Sequence, residues 1–202
     1  MHDFHALLEI VLGLIAGLGL SAACGFRVFV PMLVVSIGIH AGAVHVAPGF
    51  AWIGSTPALV AFSAATLLEV LGYYVPGVDH FLDVVATPAA IVAGALLSTA
   101  FVVDIDPWLR WSLAMTVGGG VAAAVQVATV ATRAASGVLT LGAGNPVVST
   151  GELAGSTFAS VAALVAPVLA LVVVLALVTW LVLRWSRRRS AHAPGGSLPV
   201  AA

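Results

Sequence analysis

Apolar residues run almost unbroken along this chain, and the few polar positions act as punctuation. A small polar residue followed by proline occurs at Thr56-Pro57, Thr87-Pro88, Asp106-Pro107 and Asn145-Pro146. The side-chain oxygen of such a pair caps free N–H groups, and proline suits the first helical turn because it has no N–H to satisfy. Inside a bilayer no water can take that role. With these four helix starts the pattern predicts spans over about 6–25, 28–46, 57–75, 84–103, 107–133 and 153–184. Pro31 falls in the first turn of the second span, Pro76-Gly77 stops the third, and Pro88 kinks the fourth. Gly13, Gly17 and the Gly118–Gly120 run are candidate points of close helix packing.

Between the last two spans lies Ser136–Ser149, too apolar for an ordinary loop and too short and glycine-rich for a full span. It reads as a re-entrant or surface-lying segment. Ser149-Thr-Gly-Glu152 then matches a capping box, with Ser149 as the cap and Glu152 reaching back.

Composition turns the pattern into a class. Of 202 residues, 61% are hydrophobic and 7% are charged, against about 25% charged in a soluble domain. Mean hydropathy is +1.17. Six spans need roughly 120 residues, so the length suits an all-α, polytopic transmembrane helical bundle of about six spans. Residues 1–185 form one transmembrane domain in this reading, and 186–202 form a disordered basic tail. A water-soluble domain, a disordered chain and a nucleic-acid binder are excluded. The chain's partner is the lipid bilayer, and a homo-oligomer is compatible with it.

The seven basic residues are all arginine. Four sit in Arg184-Trp-Ser-Arg-Arg-Arg189, which places the C-terminus in the cytoplasm and the protein in the plasma (cytoplasmic) membrane. Six spans then put the N-terminus and Arg110 inside, and only Arg27 and Arg133 toward the outer side. Leu20-Ser-Ala-Ala-Cys24 superficially resembles a lipoprotein cleavage site. The first basic residue, Arg27, lies beyond it, so the segment reads as a retained first helix. Cys24, the single cysteine, excludes an internal disulfide framework and a multi-cysteine metal site.

Most charges have plain explanations. Glu9 lies in a first helical turn, and Arg133 and Arg184 at helix C-termini, where the dipole favours each sign. Asp104-Ile-Asp106 reads as a loop ending in the Asp106 cap. His40 and His45 are five apart and do not align on one helix face. No metal or cofactor site is expected.

Three groups resist that treatment. Glu69 is the thirteenth residue of the 57–75 span, within about 5 Å of its midpoint by helical rise. A charge there costs on the order of 2.5–3.5 kcal/mol. Arg27 stands between two apolar runs, either in a tight outer hairpin or where two half-helices break within the membrane. Asp79 and Asp83 are four apart and share a helix face, either as part of an amphipathic connecting helix capped by Asp79 or as a site for an arginine or cation. Six-span topology puts these residues with Arg133 and Asn145 toward one side. The expectation is a polar cluster open to the non-cytoplasmic side, centred on Arg27, Glu69 and Arg133, with Asp79, Asp83 and Asn145 around it. Ala22–Arg27 and Ala128–Arg133 also align as a weak internal repeat.

Gly17-Leu-Gly-Leu-Ser-Ala-Ala-Cys-Gly-Phe-Arg27 with Pro31, then Leu68-Glu69, Pro76-Gly-Val-Asp79, and Gly144-Asn-Pro-Val-Val-Ser149 with Glu152 occur in that order. Together they resemble a bacterial membrane family known as domain of unknown function 4126. The resemblance implies a multi-pass helical protein and carries no reaction, ligand or catalytic residue.

Three function classes fit these residues. The first is a transporter or channel for a small solute, ion or lipid phosphate, in which the arginines attract an anion and Glu69 serves as proton or counter-charge site. The second is a non-catalytic scaffold whose charges lock helices together. An enzyme acting on a lipid headgroup comes third, since His80 beside Asp79 is the only near candidate base.

Overall fold

In a computed structural model, residues 2–169 apart from 76 and 104 are described, together with Val172, Ala176, Thr179 and Trp180. All regular structure among them is helical. Six helices follow one another. These are α1 (His2–Phe26), α2 (Phe29–His40), α3 (Thr56–Gly72), α4 (Val78–Phe101), α5 (Pro107–Thr140) and α6 (Asn145–Val165). A 3₁₀ segment, Pro48–Gly54, precedes α3. Helix α5 is π-helical over Ala114–Gly118.

The chain passes back and forth along the bundle. At one end Gly13 meets the Phe101 carbonyl, Phe50 stacks near Trp111 with ring centroids 6.2 Å apart, and the Ala47 amide bonds to Ala100 O at 2.9 Å. At the other end gather Arg27, Glu69, Tyr73, Asp83, Arg133 and Ser149. Helices α1, α3 and α5 run toward the second end, and α2, α4 and α6 return. Helices α1, α4 and α5 approach each other through small residues. The Ser21 hydroxyl lies within 2.7–2.8 Å of the carbonyls of Gly17 and Gly94 and of the Ser98 hydroxyl. A Cβ on Gly94 would come within 2.6 Å of the Ala122 Cβ, so only glycine lets α4 and α5 close to this distance.

Helices α1, α4, α5 and α6 are each long and apolar enough to cross a membrane. The 3₁₀ segment and α3, bent by 61°, make a fifth candidate as a pair. The chain is therefore a multi-pass helical protein compatible with a membrane. Helix α2 departs from the expected 28–46 span. It has 12 residues, about 18 Å of helix, and ends at His40. Gly42, at φ +71°, turns the chain, and a non-helical stretch completes the pass as far as Ala47.

Other boundaries moved for identifiable reasons. The cap of α3 is Ser55, whose hydroxyl accepts from the Ala58 amide at 3.3 Å, rather than Thr56. Thr87-Pro88 starts nothing: α4 begins at Val78 and carries Pro88 in its interior, while the Thr87 hydroxyl donates to Asp83 O at 2.8 Å. Membrane helices tolerate such prolines when side chains and neighbours satisfy the freed groups. Asp106 does cap α5, accepting from the Trp108 and Leu109 amides.

The segment 136–149 is not re-entrant. Helix α5 continues to Thr140, Leu141 and Gly142 take positive φ, and α6 begins at Asn145. Ser149 and Glu152 consequently lie inside a helix and form no capping box. Helix α6 is interrupted at Ala166, just before Pro167, so the described part does not form the continuous 153–184 helix expected. The arginine-rich tail and the expected disorder of 186–202 lie outside the described residues.

Candidate functional site

The end of the bundle bearing Arg27 is assembled from all six helices. Arg27 and Val28 are the whole connection between α1 and α2. So sharp a reversal leaves the first amides of α2 without helical partners. Glu69 takes them: its Oε1 accepts from the Val28 amide at 2.8 Å and its Oε2 from the Phe29 amide at 3.1 Å. A carboxylate from α3 thereby caps a helix N-terminus, where the backbone dipole favours negative charge. Glu69 is 7% exposed.

One helical turn beyond Glu69 stands Tyr73, the C-cap of α3, 4% exposed. The guanidinium carbons of Arg27 and Arg133 lie over its ring, 3.9 and 4.1 Å from the centroid. Cation–π attraction is strongest where water is excluded, and these arginines are 1% and 4% exposed. The Tyr73 hydroxyl donates to Asp83 Oδ1 at 3.2 Å.

Carboxylates complete the network. Arg133 Nη1 pairs with Asp83 and Nη2 with Glu152. Glu152 Oε2 also lies 3.4 Å from Arg27 Nη2, which donates to the Ser149 backbone carbonyl at 3.0 Å and to the Ser149 hydroxyl. Within the network, Arg27 Nε and Nη1, Arg133 Nε and Glu152 Oε1 are buried with no hydrogen-bond partner.

Asp79 forms a second cluster nearby. Its Oδ1 accepts from the Gly77 and His80 amides, both at 2.9 Å, and lies 2.8 Å from His80 Nδ1. Its Oδ2 accepts from Asn145 Nδ2 at 3.0 Å. Gly77, at φ +89°, supplies the turn that brings Asp79 back onto its own helix start. Asn145 thus ties α6 to α4 with its side chain, and Gly144 occupies the cap position of α6. Asn145 Oδ1 is buried and unpartnered.

A vestibule of about 770 Å³ opens between the α3–α4 turn and the α5–α6 hairpin. Tyr73, Asp79, His80 and Asn145 supply its polar wall, and Gly137 and Gly142 part of the opposite side. Arg27, Glu69 and Arg133 do not line it. Tyr73 does, and so connects the vestibule to the arginines.

All six residues singled out from the sequence, Arg27, Glu69, Arg133, Asp79, Asp83 and Asn145, are thus placed at this end. Glu69 serves backbone amides rather than an arginine. Three participants went unrecognised: Tyr73, Ser149 and Glu152. Tyr73 carries a usable signal, since it lies four residues after Glu69 and shares its helix face. Ser149 and Glu152 were masked by their fit to a capping box. Among the described residues, no group of three His, Cys, Asp or Glu side chains is placed to hold a metal ion.

The family model described as Domain of unknown function (DUF4126) matches residues 14–188, and the chain belongs to that family. No curated protein and no solved structure matches the chain.

Proposed function

We propose that this family member is a transporter or channel for a small anionic solute, ion or lipid phosphate, entered through the vestibule that ends at Tyr73. The observation that carries this reading is the incomplete pairing behind Tyr73. Buried polar groups in proteins are nearly always paired, yet Arg27 Nε and Nη1 and Arg133 Nε have no partner. An anionic group or ordered water is what those donors would bind. Formal charge sharpens the chemistry. Glu69, Asp83 and Glu152 outnumber Arg27 and Arg133 by three to two. An anion entering this network is best tolerated together with a proton on one of the carboxylates, which makes the proposed movement proton-linked. In this reading the vestibule faces the non-cytoplasmic side of the plasma membrane and the arginine-rich tail faces the cytoplasm.

The purified chain in liposomes tests it. Chloride, nitrate, phosphate and acetate gradients are applied with and without a pH gradient, and charge movement and internal pH are followed. Movement of at least one anion, lost in Arg27→Gln and Glu152→Gln proteins that keep their helicity, is the expected result. His80→Cys, exposed on the vestibule wall, should also react with a membrane-impermeant thiol reagent, while buried Cys24 does not. No anion or proton movement by the native chain would reject the reading. The scaffold alternative rests on Arg133, which holds Asp83 and Glu152 at once and so ties α4, α5 and α6 together. It expects the same substitutions to lower stability where there was no flux to lose.

A further inference from the structure

At the opposite end of the bundle, α1 and α5 part around a second cavity of about 220 Å³. Leu14 and Leu18 wall it from α1, and Leu113, Ala114 and Val117 from α5. It coincides with the π-helical turn Ala114–Gly118, where the wider helix carries an extra residue per turn. The lining is apolar but for Ser98 and Arg110.

Arg110 is the unexplained element. Its Nε is buried without a partner, and Nη1 reaches only the Val102 carbonyl, at 3.5 Å, the outer limit of a hydrogen bond. No carboxylate pairs with it among the described residues. Asp106, one turn earlier, accepts with its Oδ1 from the Trp108 and Leu109 amides and makes no ion pair with Arg110. Trp108 and Trp111, on the same turn of helix, are 81% and 43% exposed. Exposed tryptophans at the end of an apolar helix mark the headgroup level of a membrane. Half-exposed Leu113 and Val117 leave the cavity open toward the side of the bundle.

An apolar slot, a guanidinium with donors to spare and interfacial tryptophans are complementary to one kind of molecule. Phosphate belongs on the arginine and hydrocarbon in the slot. We infer that this cavity binds one anionic phospholipid, with its phosphodiester on Arg110 and an acyl chain along Leu14, Leu18 and Val117. The site lies at the other end from the vestibule, so its fate and that of the proposed transport are separable.

Native mass spectrometry of the full chain in a neutral detergent tests the inference, after incubation with phosphatidylglycerol or phosphatidylcholine of identical acyl chains. The native chain should retain one phosphatidylglycerol with about fivefold preference, the ratio matching ~1 kcal/mol for one basic residue at a membrane surface. Arg110→Gln should bring the two lipids level. Ala114→Phe, which fills the slot, should reduce retention of both, and Val117→Trp at the more exposed wall repeats that test should Ala114→Phe lose helicity. Equal retention of both lipids by the native chain overturns the inference. So does a preference that survives Arg110→Gln, or a dimer that forms in place of the lipid adduct and assigns the slot to a second copy.

Discussion

The middle of this bundle and its Tyr73 end hold helices together by different means. In the middle, Gly17, Ser21, Gly94, Ser98, Gly118 and Ala122 let α1, α4 and α5 approach until backbone meets backbone, and the hydroxyls of Ser21 and Ser98 find carbonyls or each other. At the Tyr73 end the helices are joined by ion pairs and a shared aromatic ring, with several donors left over. Close packing at Gly17, Gly94 and Ala122 leaves no room between these helices, and the apolar cavity opens only beyond it, past Ser98 and Gly118. A network of long charged side chains leaves gaps, and one of its members lines a vestibule. The contrast separates what holds the fold from what is available to a ligand.

Substitutions at the two regions should therefore behave differently. The largest effect is expected for Arg133→Ala, which strips Asp83 and Glu152 of their common cation. Breaking a buried pair on one side costs about 3–5 kcal/mol, read as a fall in the unfolding midpoint in mixed detergent, and anion movement should vanish with it. Gly94→Val comes next. Its side chain meets Ala122 and the Gly118 carbonyl, and overpacking of this kind costs about 1–3 kcal/mol. Thiol labelling of His80→Cys should nonetheless proceed at its original rate in that background; a lost signal would show that the two regions are one cooperative unit. Tyr73→Phe keeps the ring over both arginines and removes only the hydrogen bond to Asp83, so about 1 kcal/mol should be lost. Any larger loss would mean that the hydroxyl, not the ring, organises the arginines. Ser63→Ala touches neither region, since its hydroxyl only bonds back to Leu59 O on an exposed face, and should stay within about 0.5 kcal/mol of the native chain.

The helical, multi-pass character was legible because hydrocarbon imposes it: apolar runs of the right length leave few alternatives. The gathering of Arg27, Glu69, Arg133, Asp79, Asp83 and Asn145 was legible too, from scarcity and from alternating direction of the spans. Local polar motifs misled where the surrounding helix or a distant residue took the polar group instead. Thr87-Pro88 has the form of a helix start, yet α4 already began at Val78, and the Thr87 hydroxyl turns back to its own helix. Ser149 and Glu152 have the spacing of a capping box, but Arg27, 122 residues away along the chain, uses both. Glu69 was conspicuous as a charge, while its partners are backbone amides, to which no sequence pattern points. Tyr73 is one aromatic among many apolar residues, and only two arginines arriving from α1 and α5 distinguish it.

The bond from Glu69 to Val28 and Phe29 also bears on how the protein is made. The α1–α2 hairpin emerges from the ribosome about 40 residues before its cap does, carrying two bare amides and an arginine. Arg27 waits longer still, until Ser149 and Glu152 are synthesised. The first hairpin is thus unsuited to rest alone in lipid. The insertion machinery, or water at the membrane surface, must hold it until α3 arrives, and a nascent chain stopped before Glu69 should remain extractable where one stopped after α6 does not.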